Sequence, residues 1–250
     1  MLGKHLIEVI KQMHSKVKII ENDVDLTKKD ILEAYLACLP KFDVVFHLAA
    51  LVPVREVNED PSRAFSINVG GTLNLLCGLH EHTSKLIFAS SSHVYAPKEG
   101  PLKENDPLEP ISLYGETKLI AENLIRSMSN SQSWDCLIAR IFSMHDDHQT
   151  GSFLRPNLEQ RMMEDDLSAP FCLEGGDSVR DFISARKVAE LLVQLASTDA
   201  KGTVNIASGK PMTVASYAQS LAPITLDIVP KGHKNELYAD TSRLEQMLEV

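Results

Sequence analysis

A chain of 250 residues that is 44% hydrophobic and 24% charged is long enough for one large α/β core, with or without a small lobe. Its net charge of −9 argues against a nucleic-acid groove or an anionic membrane surface as partner and leaves room only for a local basic pocket. No apolar run approaches the ~20 residues of a bilayer span, the start lacks a secretory signal, and Cys38, Cys77, Cys136 and Cys172 lie scattered in apolar contexts. The expectation is a cytoplasmic protein with reduced core cysteines, no disulfide framework and no zinc knuckle.

The first predicted element is a helix from Gly3 to about His14, with Leu6, Val9, Ile10 and Met13 on one face and no strand before it. Short apolar runs at Val17–Ile20, Val44–Leu48, Leu86–Ala89 and Cys136–Ala139 predict buried parallel strands, separated by helices around 29–39, 61–82 and 112–130. Asp60-Pro61 is a helix start, an N-cap followed by proline at the first helical position. Such alternation implies an α/β fold, a doubly wound, Rossmann-like parallel sheet. Beyond residue 140 the pattern becomes loop-rich, broken at Pro156, Pro170, Gly175-Gly176, Pro211, Pro223 and Pro230. Within it Val188–Leu195 reads as helix and Thr203–Ile206 as strand.

Chemistry concentrates in Tyr114-Gly-Glu-Thr-Lys118, which follows a serine-rich strand end, Phe88-Ala-Ser-Ser-Ser-His-Val-Tyr95. Positions i and i+4 share a helix face, so the Lys118 ammonium can sit beside the Tyr114 phenol. A nearby cation is expected to lower the phenol from about 10 toward working pH, making it a general acid or base, while a serine orients the substrate oxygen. The bland alternative is a solvated helix-face pair with serines in a turn. His47 reads as a packed structural histidine. His145-Asp-Asp-His148 has metal-ligand residue types, but one short run offers no distant third ligand, and a solvated loop explains it.

The stretches Val44-Val-Phe-His-Leu-Ala-Ala50, Ile67-Asn-Val-Gly-Gly-Thr-Leu73 and Val179-Arg-Asp-Phe-Ile183 accompany the tyrosine and lysine in fitting order. Over nearly its whole length the chain resembles the extended short-chain dehydrogenase/reductase family of nucleotide-sugar epimerases, dehydratases and reductases. The resemblance implies a dinucleotide-binding domain over 1–150 and 180–207 and a substrate lobe over 151–179 and 208–250. It implies that Ser91 binds the sugar oxygen with Ser92 beside it, Tyr114 exchanges the proton, and Lys118 binds nicotinamide-ribose hydroxyls. It further implies that Gly3, Asp25, Ala49 and Ala50 line the cofactor, that Asn68 buttresses the strand ends, and that Arg180 grips the diphosphate. Arg155 and Asn157 are weaker candidates for the substrate nucleotide. A plain turn carboxylate for Asp25, and an ion pair for Arg180, are the structural alternatives.

NAD is the implied cofactor, with NADP left open, and a nucleotide-diphosphate sugar the implied partner of a homodimer without nucleic acid, membrane or metal. Of the family's glycine turn the chain matches only Gly3, so poor pyrophosphate binding by residues 1–250 is expected; Glu21 is the one acidic candidate for the ribose. Ser143 stands where many members carry Asn. Ser92 and His93 stand where sugar dehydratases place an acid/base carboxylate pair. The expected activity is therefore a nucleotide-sugar epimerase working through a 4-keto intermediate. The alternatives are a 4-keto-6-deoxy-sugar reductase and a non-catalytic binding subunit.

Overall fold

The computed structural model describes residues 1–14, 16–79, 83–131 and 134–249. Helix α1 (Leu2–Met13) buries Leu2, Leu6 and Val9 along one face. After α2 (Lys29–Ala37) comes strand β1 (Phe42–His47), then α3 (Val54–Glu59) and α4 (Pro61–Phe65). Asp60 caps α4 by accepting the Arg63 N–H, with Pro61 in the first turn, as the sequence predicts. The helix continues through a π turn (Ser66–Gly71) into α5 (Thr72–Gly78). The end of the helix expected over 61–82, at 80–82, lies outside the described residues. Strand β2 (Thr83–Ser91), a 3-10 turn (Ser92–Val94), α6 (Leu113–Ser131), β3 (Asp135–Ile141) and β4 (Ser143–His145) follow.

The second half adds α7 (Leu154–Glu164), β5 (Phe171–Glu174), β6 (Val179–Ser184), α8 (Ala185–Ala196), β7 (Gly202–Ile206) and β8 (Pro211–Thr213). It ends with α9 (Val214–Leu221), β9 (Ile228–Lys231), β10 (Glu236–Leu237) and α10 (Ser242–Leu248). Pro156, expected to break the chain, lies instead in the first turn of α7, where a missing N–H costs no helical hydrogen bond.

The main sheet has the order β1-β2-β3-β7, and every pairing in it is parallel. Its strands bury both faces, because neighbours along β2 point opposite ways. Leu86 and Phe88 join Leu32, Leu76 and Ile125 of α2, α5 and α6 in one layer. Ile87 and Ala89 join Leu6, Val188 and Leu192 of α1 and α8 in the other. Lys85 Nζ, nearly withdrawn from water, donates to the carbonyls of Leu195 (2.8 Å) and Thr198 (2.7 Å) at the α8 C-terminus, joining sheet and helix layer.

Two smaller sheets flank this core. One has the order β10-β6-β4 with β8 antiparallel to β6, and the other pairs β5 with β9. A separate apolar cluster of Leu158, Phe171, Leu173, Val214 and Ala218 lies under them.

Two expectations are corrected. Val17–Ile20 is not a strand: among the described residues it has no ladder partner, and β1 pairs on one side only, with β2. An apolar run makes a strand only where a neighbour takes its backbone groups. The cysteines are free, but Cys38, Cys77 and Cys172 are exposed and Cys136 is half-buried. Cys38 caps α2, and Cys172 falls on the outward beat of β5, whose burial alternates.

Candidate active site

Strands β2, β3 and β7 end level, with Ser91 beside Ile141 and Ile141 beside Ile206, and the site is built where β2 stops. Ser91, its last residue, is buried and accepts the His93 backbone N–H at 3.2 Å as the chain enters the 3-10 turn. Helix α6 presses against this turn because Gly115 has no side chain. A Cβ there would collide with the His93 carbonyl oxygen and with Pro110. The close approach sets Tyr114, only 6% exposed, beside Ser91, whose hydroxyl favours the phenolate and so opposes the effect of burial.

One turn on, the Lys118 ammonium is buried, donates to the Ala89 carbonyl at 2.8 Å and lies 4.9 Å from the Phe88 ring centroid. It stands 6.0 Å from the Tyr114 ring centroid. Burial pushes the ammonium down to about 8, opposed by the Glu122 charge. Burial pushes the Tyr114 phenol up to about 12, opposed by the Ser91 hydrogen bond. This corrects the expectation of a phenol lowered by Lys118: desolvation sets the direction, and the ammonium, which donates to the Ala89 carbonyl, is not among the influences on the phenol.

Behind these groups lies a buried polar network. Glu122 is fully withdrawn from water and receives Arg140 through Nε at 3.0 Å and Nη2 at 2.8 Å, with Ser90 and Arg126 donating as well. Asn68, in the π turn, accepts the Leu51 N–H at 2.7 Å and donates to the Leu51 carbonyl at 2.9 Å and to Thr117 at 3.0 Å. It thus ties the loop after β1 to α6, as a buttress would. His47 is buried, bonds Thr72 at 2.8 Å and is held neutral, since burial and then the Lys118 charge push it down to about 3.

A cavity of about 1020 Å³ brings Gly3, Ala50, Ser91, Ser92, Tyr114 and Lys118 together. A second, of about 890 Å³, opens between α1, residues 16–22 and β1, where Gly3, Glu21 and Ala49 line it. The first turn of α1 borders both cavities, and among the described residues no side chain caps that helix end. The Lys4 N–H bonds the Met1 carbonyl at 3.1 Å, which leaves the amides ahead of it as the groups a helix start offers to an anion.

The other expected residues lie elsewhere. Asp25 is an exposed turn carboxylate that accepts the N–H and O–H of Thr27 and lines neither cavity. Arg155 is taken up by Asp147 and Glu159, while Asn157 is exposed on α7. Arg180, half-buried on β6, has no carboxylate partner among the described residues; it donates to the carbonyls of Val179 (2.8 Å) and Asn235 (3.3 Å). Burial alone pushes its guanidinium down. The His145–His148 run is dispersed: Asp146 bonds His5, whereas His145 and Asp147 meet Arg155. Sequence reasoning missed His5 and Asp146, both on the first cavity, because nothing links positions 141 residues apart.

The model of the NAD dependent epimerase/dehydratase family matches residues 1–207. The chain is 30% identical to a UDP-glucose 4-epimerase of Pisum sativum, over 90% of this chain and 73% of that protein. It is 31% identical to the GDP-6-deoxy-D-mannose reductase of Pseudomonas aeruginosa, over 89% of this chain and 76% of that protein. Among solved structures it resembles RMD from Pseudomonas aeruginosa complexed with NADPH. That likeness has a TM-score of 0.83 and 26% identity, covering 100% of this chain and 89% of that one.

Proposed function

The chain belongs to the NAD dependent epimerase/dehydratase family, and from that premise we propose that it is an NAD(P)-dependent nucleotide-sugar epimerase working through a 4-keto sugar. The observation that carries this reading is the convergence of Ser91, Tyr114 and Lys118 on one cavity bordered by the uncapped end of α1. The donor set fits a dinucleotide: free amides at Gly3 for the pyrophosphate, small residues Ala49 and Ala50 where the backbone must come close, and Lys118 for ribose hydroxyls. When bound, the nicotinamide supplies the hydride acceptor and donor.

The protein's own residues handle position and protons. Ser91 holds the reacting sugar oxygen in hydrogen-bond reach of Tyr114, which exchanges its phenolic proton with it. Asn68 and Gly115 fix the two segments that carry these groups. Arg180, lacking a carboxylate partner among the described residues, is the cation assigned to the nucleotide diphosphate, a role suited to a planar bidentate donor.

A second reading, a nucleotide-4-keto-6-deoxy-sugar reductase, has its own support. A phenol held at about 12 is protonated at neutral pH, and reduction of a ketone asks it only to donate. Both are tested by incubating the protein with NAD and UDP-glucose while following UDP-galactose by NMR, and with NADPH and GDP-4-keto-6-deoxy-D-mannose while following NADPH absorbance. Epimer formation supports the first and NADPH consumption the second. Neither product, with both nucleotide sugars bound, removes the assignment.

No helix among the described residues is long and apolar enough to cross a membrane. Free cysteines support a cytoplasmic setting, and the family resemblance supports a homodimer. The separate apolar cluster under β5, α7 and α9 supports the division into a dinucleotide-binding domain, 1–150 and 180–207, and a substrate lobe.

A further inference from the structure

One contact in the catalytic cavity has no task in the chemistry above, the bond between His5 and Asp146. His5 lies near the start of α1, two residues after Gly3, and Asp146 is the first residue after β4. Gly3, Lys4, His5 and Glu8 line one wall of the cavity, and Asp146 opens a loop, running to Phe153, that lines another. The bond crosses between these walls: His5 Nε2 donates to Asp146 Oδ2 at 2.5 Å, and the Asp146 side chain is only 9% exposed. Among the described residues no other side-chain hydrogen bond ties 146–153 to α1. Asp146 turns its second oxygen, Oδ1, to the His148 N–H at 2.8 Å, and its carbonyl accepts the Gln149 N–H at 3.1 Å. Burial pushes its carboxyl up, but the His148 N–H, with the His5 hydrogen bond and charge, holds it below the ordinary carboxylate range. On His5 the other nitrogen, Nδ1, is buried without a hydrogen-bond partner among the described residues; the Glu8 carboxylate, 3.9 Å away, faces Arg186 at 3.6 Å. Asp146 is therefore the hydrogen bond that orients the ring. Farther along the loop, Gly151 has φ +86° and a Cβ there would meet nothing within 4 Å, so packing does not hold the loop at that point.

We propose that His5 and Asp146 are positioning residues for the dinucleotide, a clasp between two walls of the cavity that sets how fast the cofactor leaves. The inference rests on the dinucleotide reading of α1. A pyrophosphate at the Gly3 amide lies two residues from His5, and the clasp fixes the 146–153 loop to that same stretch of helix. A ligand that fills the cavity departs only when the walls part, and lid opening of this kind commonly limits release. An ionised carboxylate bonded to an imidazole resists the parting more than a neutral hydrogen bond would. Loss of the clasp therefore acts on dissociation more than on entry, and it leaves Ser91, Tyr114 and Lys118 in place.

The test follows release rather than turnover. The protein is loaded with NADH or NADPH, chased with an excess of the oxidised form, and the loss of bound-cofactor fluorescence is timed by stopped flow. His5→Leu, which keeps bulk but has no donor, should release the cofactor about 10-fold faster, the low end for a hydrogen bond to a charged group. His5→Gln restores an N–H donor and should release within about twofold of the parent. Asp146→Ala added to His5→Leu should bring no further acceleration, since the two side chains act as one bond. Without cofactor, hydrogen exchange over 146–153 should quicken in His5→Leu. Release unchanged in His5→Leu, equal acceleration in His5→Gln and His5→Leu, or unaltered exchange over the loop overturns the clasp and leaves the dinucleotide reading intact. Absence of binding of both NADH and NADPH to the parent protein overturns both. Should His5→Leu fail to fold, Asp146→Ala alone takes its place, with the same acceleration expected.

Discussion

Glu122 and Arg140 face each other across the α6–β3 boundary in a two-point pair that water does not reach, with Nε to Oε1 at 3.0 Å and Nη2 to Oε2 at 2.8 Å. Burial pushes the Glu122 carboxyl up, but the Arg140 hydrogen bonds and charge, with Ser90 and Arg126, hold it below the ordinary carboxylate range. Glu122→Gln leaves a buried guanidinium short of a counter-charge and should cost about 3–5 kcal/mol in urea denaturation. The depressed value also sets a sign: the pair stabilises above the unfolded carboxyl value and is lost as pH falls through the lower folded one. The acid limb of the stability curve should therefore be steeper in the parent protein than in Glu122→Gln.

Tyr114→Phe should lower kcat by about 10²–10⁴-fold with little change in cofactor affinity, since the phenol's role is the proton. Lys118 loses its charge as pH rises through about 8, so kcat/KM should decline there if the cation serves the site. Lys118→Arg keeps its charge throughout and should move that decline upward. An upper limb that stays near 8 in Lys118→Arg assigns it to another group.

Gly115→Ala should be damaging although alanine favours helix. The added methyl meets the His93 carbonyl and Pro110, so α6 must back away from the strand end and carry Tyr114 with it. A loss of about 1–3 kcal/mol in stability and a fall in kcat are expected together. Turnover at the parent level, with unchanged melting, would show that the approach is not needed.

Arg180→Lys retains charge but not planar, two-point donation. Affinity for the nucleoside diphosphate should drop while cofactor affinity and melting temperature hold, as titration calorimetry would show. If melting falls and the diphosphate still binds, Arg180 belongs to the scaffold.

The layered sheet was legible because its strands alternate between two apolar layers: Leu86 and Phe88 face one, Ile87 and Ala89 the other. Helix spacing likewise predicted that Tyr114 and Lys118 share a face. Spacing says nothing of desolvation, which reversed the expected direction of the Tyr114 shift. Nor does an apolar run reveal whether a neighbour exists, which is why Val17–Ile20 was misread. Arg180 was legible by motif, but its lack of a carboxylate partner among the described residues is a property of the chain brought together, as is the His5–Asp146 contact.

Strand β1 bears on how the protein behaves in concentrated solution. Val44 and Phe46 pack into one layer and Val45 into the other, yet β1 is paired only with β2 among the described residues. An edge of this kind, with Asp43 as its single charge, offers a template for strand addition between molecules. Self-association should therefore grow with protein concentration despite the net charge of −9. Light scattering on a dilution series would register it, and an apparent mass that stays constant across the series would show that the edge is not used.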